Sequence, residues 1–190
     1  MYTVKNIENT IIINKSKFIT NIFSVDTEEE INKHLNDIKN KYKDATHHCY
    51  AYIVDNIKRF NDDNEPNGTA GKPILDSLEK NNLNHVLCIV TRYFGGIKLG
   101  AGGLLRAYSN SCSEAIKNTD KLELVDGYEA IISFNYNKVN EIDALLSNYQ
   151  IKKKIFNDII TYDAYIDDDI MDLLNSVAKV DIIKKIIIRK

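Results

Sequence analysis

The chain is poor in cysteine and shows no pairing pattern. Cys49, Cys88 and Cys112 make an odd count in 190 residues, with no C-x-x-C pair, and each lies in an apolar stretch. That excludes a disulfide framework and suits reduced thiols in a core. Neither sign of charge is in large excess. Lys plus Arg total 25 and Asp plus Glu total 27, a formal net charge of -2, so no globally basic surface exists and nucleic-acid binding must be local. No apolar run approaches the roughly 18 residues of a membrane helix, and MYTVKNIENT lacks the basic-then-apolar pattern of a leader. A cytoplasmic protein with no membrane partner is expected. Internal repeats are absent too. The 44% of apolar residues excludes disorder and suffices for one sizeable core or two small ones.

Two extended stretches, Thr10 to Ile13 and Lys17 to Val25, flank Asn14, Lys15 and Ser16 and read as a hairpin. Thr27 with Glu30 forms a capping box, and Ile31, Leu35, Ile38 and Tyr42 recur at helical spacing, predicting a helix over Glu28 to Lys43. Cys49 to Val54 alternates like a strand, and Asp55 to Gly71 reads as a long polar loop. Pro73 suits the first turn of a short helix ending near Lys80. Val86 to Val90 is apolar on both faces, as in a strand covered on both sides. A helix follows from Gly103 to Asn118. Beyond it the pattern is strand (Leu122 to Asn135), helix (Val139 to Asn148), strand (Ile151 to Phe156), strand (Ile159 to Ile166), helix (Asp168 to Ala178), strand (Val180 to Ile188). That order, βαββαβ, is ferredoxin-like. The fold class is α+β in two domains, 1-119 and 120-190.

FGGIKLGAGG, Phe94 to Gly103, holds five of the eight glycines: Gly95, Gly96, Gly100, Gly102 and Gly103. The helix it leads into has no Ser, Thr, Asn, Asp or Glu to cap it. Other helices have such groups: Thr27 with Glu28 to Glu30, Asn137 with Glu141, Asp167 to Asp169. No acid occurs between Glu79 and Glu114, whereas Lys80, Arg92, Lys98 and Arg106 supply a local charge of +4, with Arg106 placed in the first turn. Open amides beside cations form an anion site, for which a phosphate-containing ligand is the natural guest. The competing reading of the glycines is close packing of strand on helix. No G-x-x-x-x-G-K-[ST] or dinucleotide pattern is present, which argues against a nucleotide-hydrolysing loop.

NDDNEPNGTAGKP, Asn61 to Pro73, brings Asp62, Asp63 and Glu65 together. These carboxylates suit a divalent cation or acid-base work, but a turn whose Asp and Asn side chains bond their own backbone is the preferred reading. Gly68, Thr69, Ala70 and Gly71 offer a backbone surface facing the glycine loop. His47 and Cys49 share a strand face and His48 takes the other, which argues against zinc and makes His47 a loop anchor rather than a ligand or a base for Cys49. His34 and His85 read as solvent-side or capping residues. No catalytic set, resident metal or cofactor is expected.

HHCYAY (His47 to Tyr52), DDNEPNGTAGKPIL (Asp62 to Leu75) and VTRYFGGIKLGAGGLLRAY (Val90 to Tyr108) closely resemble the YigZ/IMPACT family over the first 118 residues. The chain departs from it at Asn64, where the family has Gly, and at Asn67, where it has a small residue; Asn tolerates the left-handed backbone, so the turn should survive. The resemblance implies a first domain like the second domain of the fifth small-subunit ribosomal protein and like domain IV of elongation factor G. It implies a tail like domain V of that factor. Eukaryotic members regulate translation by acting on a starvation-responsive initiation-factor kinase with the help of an additional N-terminal domain. The chain opens at the shared domain, so that role is not expected.

The leading expectation is a non-enzymatic binding protein that engages RNA or the ribosome, with Arg92, Lys98 and Arg106 on phosphates, the loop glycines presenting N–H groups, and Tyr93, Phe94 or Tyr108 stacking on a base. Tyr108 shares the apolar helix face and is assigned to the core. The rival is an enzyme acting on a small phosphorylated or acidic metabolite, with Asp62, Asp63 and Glu65 holding a metal or moving protons. A third reading, an adaptor using Tyr162 and Tyr165 on the ferredoxin-like sheet, is weaker than an ordinary solvated sheet face.

Overall fold

The computed structural model describes all of residues 1 to 190, which divide into two compact units, Met1–Leu122 and Glu123–Lys190. In the first, a short strand Tyr2–Val4 (β1) precedes a hairpin of Ile7–Ile13 (β2) and Ser16–Ser24 (β3). Its turn places Asn14 and Lys15 at φ 47 and 64, the two positive angles that a tight hairpin turn needs to match strand twist. Helix Glu28–Lys41 (α1) follows, then strands His47–Val54 (β4) and Ile57–Asn61 (β5), helix Gly71–Lys80 (α2), strand Val86–Tyr93 (β6) and helix Gly100–Lys117 (α3). The five-stranded antiparallel sheet runs β2-β3-β6-β4-β5.

Strand periodicity divides the core into two layers. Val86, Cys88 and Val90 of the central β6 face α2 and α3, where they pack with Phe18, Ile22, Ile74, Leu78 and Tyr108. Leu87 and Ile89 face α1 and meet Ile31 and Ile38. The doubly apolar run is thus a strand buried on both faces, as read from the sequence. All three cysteines are fully buried and unpaired as disulfides.

Some expectations need correction. The segment read as continuous loop contains β5, a fully exposed edge strand whose polar composition hides its extended backbone. His85 is not at the surface: it is 6% exposed, at φ 51, and its ring nitrogens lie 2.8 Å from Asp26 Oδ1 and 3.1 Å from Asp55 Oδ1. The Asp26 contact, followed by the attraction of both carboxylates, outweighs burial and raises its pKa above the usual histidine range. A histidine that binds its proton more tightly when folded stabilises in full below the unfolded value of about 6.5 and loses that contribution as pH climbs through the folded value. We therefore expect His85→Asn, which keeps a residue tolerant of positive φ, to remove part of the stability measured at pH 6 and less at pH 8; equal losses at both would show the ring to be neutral.

The second unit contains strand Lys121–Phe134 (β7, whose first two residues belong to the first unit), helix Val139–Leu145 (α4), strands Ile151–Phe156 (β8) and Ile160–Ile166 (β9), helix Asp168–Val177 (α5) and strand Lys179–Arg189 (β10). The strands pair antiparallel in the order β8-β9-β7-β10, the ferredoxin-like arrangement, so the α+β class holds. Ala130, Ile132, Tyr162, Ile142 and Leu174 fill its core. Tyr162 is fully buried, which removes it from any sheet-face docking role; Asn137 lies in a 3-10 turn and does not cap α4.

Candidate functional site

Two helix amino termini in the first unit lack a capping side chain of their own, and the protein treats them differently. At α2, Asp62 reaches across: its carboxylate accepts from the amides of Gly68 (2.8 Å), Ala70 (3.0 Å) and Gly71 (2.7 Å). Asp63 Oδ2 accepts from His48 N at 2.6 Å, and Asn61 Oδ1 from Asp63 N at 2.7 Å. Asp63 and Asn64 take φ 41 and 67, so the turn survives with Asn where relatives by resemblance have Gly. Asp62 and Asp63 therefore hold the loop together, as the self-bonding reading anticipated, and the amides around Gly68 to Gly71 face Asp62 rather than the glycine loop. Thr69 donates to the Pro66 carbonyl at 2.6 Å.

At α3 nothing comparable occurs. No side chain caps it, no acid lies in its first turn, and Gly100, Ala101 and Gly102 are exposed. The helix begins at Gly100, three residues earlier than expected, because φ 68 at Gly100 turns the chain into it. Arg106 consequently sits in the second turn and lines a separate groove of about 700 Å³ with Lys80, Asp76 and Asn110. The glycines have different reasons. A Cβ on Gly95 would fall 2.0 Å from the Lys15 carbonyl carbon, so packing against the hairpin turn requires it; Gly96 (φ 82) and Gly100 face open space and serve backbone angle alone. Gly102 and Gly103 lie in the first turn of α3, where a Cβ would meet Arg106 at 3.8 Å or Leu99 at 3.1 Å.

Beside the open end of α3 is a pocket of about 360 Å³ lined by His47, Glu65, Arg92, Phe94, Lys98 and Gly100 among others. Strand pairing sets His47 opposite Arg92, and Tyr93, one residue on, turns away to donate to Asp44 at 2.9 Å. Arg92 is 4% exposed; its Nη1 donates to Glu65 Oε1 at 2.5 Å and its guanidinium carbon lies 5.5 Å from the ring centres of Phe18 and Phe94. Glu65 Oε1 also accepts from Tyr108 Oη at 2.8 Å and lies 3.8 Å from His47 Nε2. His47 Nδ1 is 2.8 Å from the Asp63 carbonyl, the loop-anchoring role expected of it.

Sequence reasoning missed the pairing of Glu65 with Arg92. Glu65 lies beside Asp62 and Asp63 in sequence, yet it is buried against Arg92 and takes no part in their loop bonding. Burial pushes the pKa of the Tyr108 hydroxyl and of the Cys49 thiol up, which disfavours the thiolate at Cys49.

The Impact N-terminal domain is matched over residues 14–116, and the chain belongs to the IMPACT family. It is 39% identical over 173 residues to IMPACT family member YvyE of Bacillus subtilis (strain 168), covering 88% of this chain and 80% of that one. With IMPACT family member YigZ of Escherichia coli (strain K12) it shares 35% over 150 residues, 76% and 72% of the two chains. A crystal structure described as that of a hypothetical protein superposes with a TM-score of 0.65 at 25% identity, covering 96% of this chain and 97% of its own. No helix is long and apolar enough to cross a membrane.

Proposed function

We propose that this protein is a cytoplasmic, non-enzymatic binding protein that engages RNA or the ribosome through the pocket at the amino end of α3 and acts in translation control. The observation that carries this reading is the contrast between the two helix ends: α2 is closed by the protein's own Asp62 carboxylate, and α3 presents exposed, uncapped residues beside Lys98. Phe94, 45% exposed, adds an aromatic face at the mouth. The enzyme reading loses support because Asp62 and Asp63 are committed to backbone amides and Glu65 to Arg92.

Comigration with ribosomes in a low-salt gradient, lost at high salt, tests the proposal. In direct RNA titrations Lys98→Ala should weaken binding across sequences and reduce the slope of log affinity against log salt by about one. Lys117→Ala, at the opposite end of α3, serves as the control. A salt-independent association, or equal effects of the two variants, would defeat the assignment.

A further inference from the structure

Helices α2 and α3 lie side by side on the sheet, and the groove of about 700 Å³ runs between them. Ser77 Oγ is 3.1 Å from Ser109 Oγ, and Cys112 Sγ is 4.0 Å from the Ile74 carbonyl oxygen. One turn back along α2 thus matches one turn forward along α3, so the helices are antiparallel, and a turn in the other direction brings Lys80 level with Arg106. Both cations are exposed and line the groove from opposite walls. No ion pair relieves either of them. Asp76, the acid in the lining, is held by Lys72 at 2.6 Å, and the neighbouring Glu79 by Lys58 at 2.8 Å. Like charges placed in this way repel, and a carboxylate between them turns the repulsion into attraction. Apolar lining comes from Ile13, Leu99 and Leu105, the last 42% exposed. No aromatic side chain is present to stack on a base, and Asp76 disfavours a run of phosphates. A protein segment uses both the cations and the aliphatic walls.

From this arrangement we propose that the groove is a docking site for an acidic segment of a partner protein. The segment places an Asp or Glu carboxylate between Lys80 and Arg106 and an aliphatic side chain against Leu99 and Ile13. Arg106 offers the carboxylate a two-pronged donor, and Lys80 adds a point charge from the facing wall. Leu99 lies two helical turns before Arg106, about 10 Å along the axis, so the acid and its apolar neighbour sit within a few residues of each other in the guest. Ser109 and Asn110 supply polar groups for its backbone. The groove and the pocket beside Lys98 share Leu99 and no cation, so this proposal and the RNA reading stand or fall separately.

The test is a selection of random dodecapeptides displayed on phage, taken on the full chain and counter-selected on the double variant Lys80→Glu with Arg106→Glu, whose positions are exposed and whose melting is checked. Recovered peptides should be enriched in Asp and Glu with a Leu, Ile or Phe a few residues away. Labelled with fluorescein, they should bind the parent at least about tenfold tighter than the double variant by anisotropy at low salt. The same peptides with Lys in place of their acids should regain binding to the double variant, a charge exchange that a folding defect would not reproduce. Leu105→Ser should weaken the acidic peptides with melting unchanged. Recovery of no peptide, peptides without acidic enrichment, or equal binding to parent and double variant would overturn the proposal. A single-stranded RNA octamer that binds the parent and loses as much affinity as the peptides in the double variant would also overturn it, by assigning the groove to nucleic acid.

Discussion

Glu65→Ala is expected to cost about 3–5 kcal/mol of stability, the usual result of stranding a buried charge whose partner is removed. Arg92 has nowhere else to place Nη1, since Ser16 Oγ, 3.4 Å from Nη2, is a weak neighbour, and Tyr108 loses its acceptor at the same time. Removing both charges with Glu65→Leu and Arg92→Met should recover much of the loss, because an apolar pair of similar size avoids the desolvation of two ions. Chemical denaturation of the full chain, following the transition of the first unit, checks this. A single variant as stable as the parent would mean that water reaches the pair. A double variant no better than the single would mean that Tyr108, not Arg92, dominates the cost.

The adjacent glycines supply the second large effect. Gly95→Ala should destabilise by more than about 4 kcal/mol, or prevent folding, because its Cβ would occupy the space of the Lys15 and Ser16 backbone. Gly96→Ala meets no atom and should cost only about 1–2 kcal/mol, the penalty of a left-handed angle for an ordinary residue. Asparagine separates the two causes: it should cost less than alanine at Gly96 and no less at Gly95. Denaturant midpoints of the four variants measure this, and a neutral Gly95→Ala would refute the contact with the hairpin turn.

The parts of the fold legible in the sequence were those written in local chemistry. The capping box of α1 appears as drawn, with Thr27 Oγ1 accepting from Glu30 N and Glu30 Oε2 accepting from Asp26 N. The double-faced burial of β6 followed from its unbroken apolar run. The self-bonded Asp62 loop followed from its Asp, Asn and Gly content. Illegible parts depend on distant partners. His85 is buried because Asp26 and Asp55 arrive from elsewhere in the chain, and the Glu65–Arg92 pair joins residues 27 apart. Lys15 at φ 64 carries no residue-type signal at all. The early start of α3 was missed because glycine reads as a breaker, although at Gly100 its freedom is what lets the helix begin.

The three sealed thiols turn the core into its own chronometer. A thiol reagent cannot reach Cys49, Cys88 or Cys112 while the sheet and its helices stay closed, so each labelling rate counts excursions of its surroundings into water. Cys49 sits one hydrogen bond from Tyr108, which in turn bonds Glu65, so its clock is wired to the floor of the pocket. A guest that settles there would slow Cys49 more than the Cys88 and Cys112 pair between β6 and α3, and mass spectrometry would register occupancy without any label on the guest.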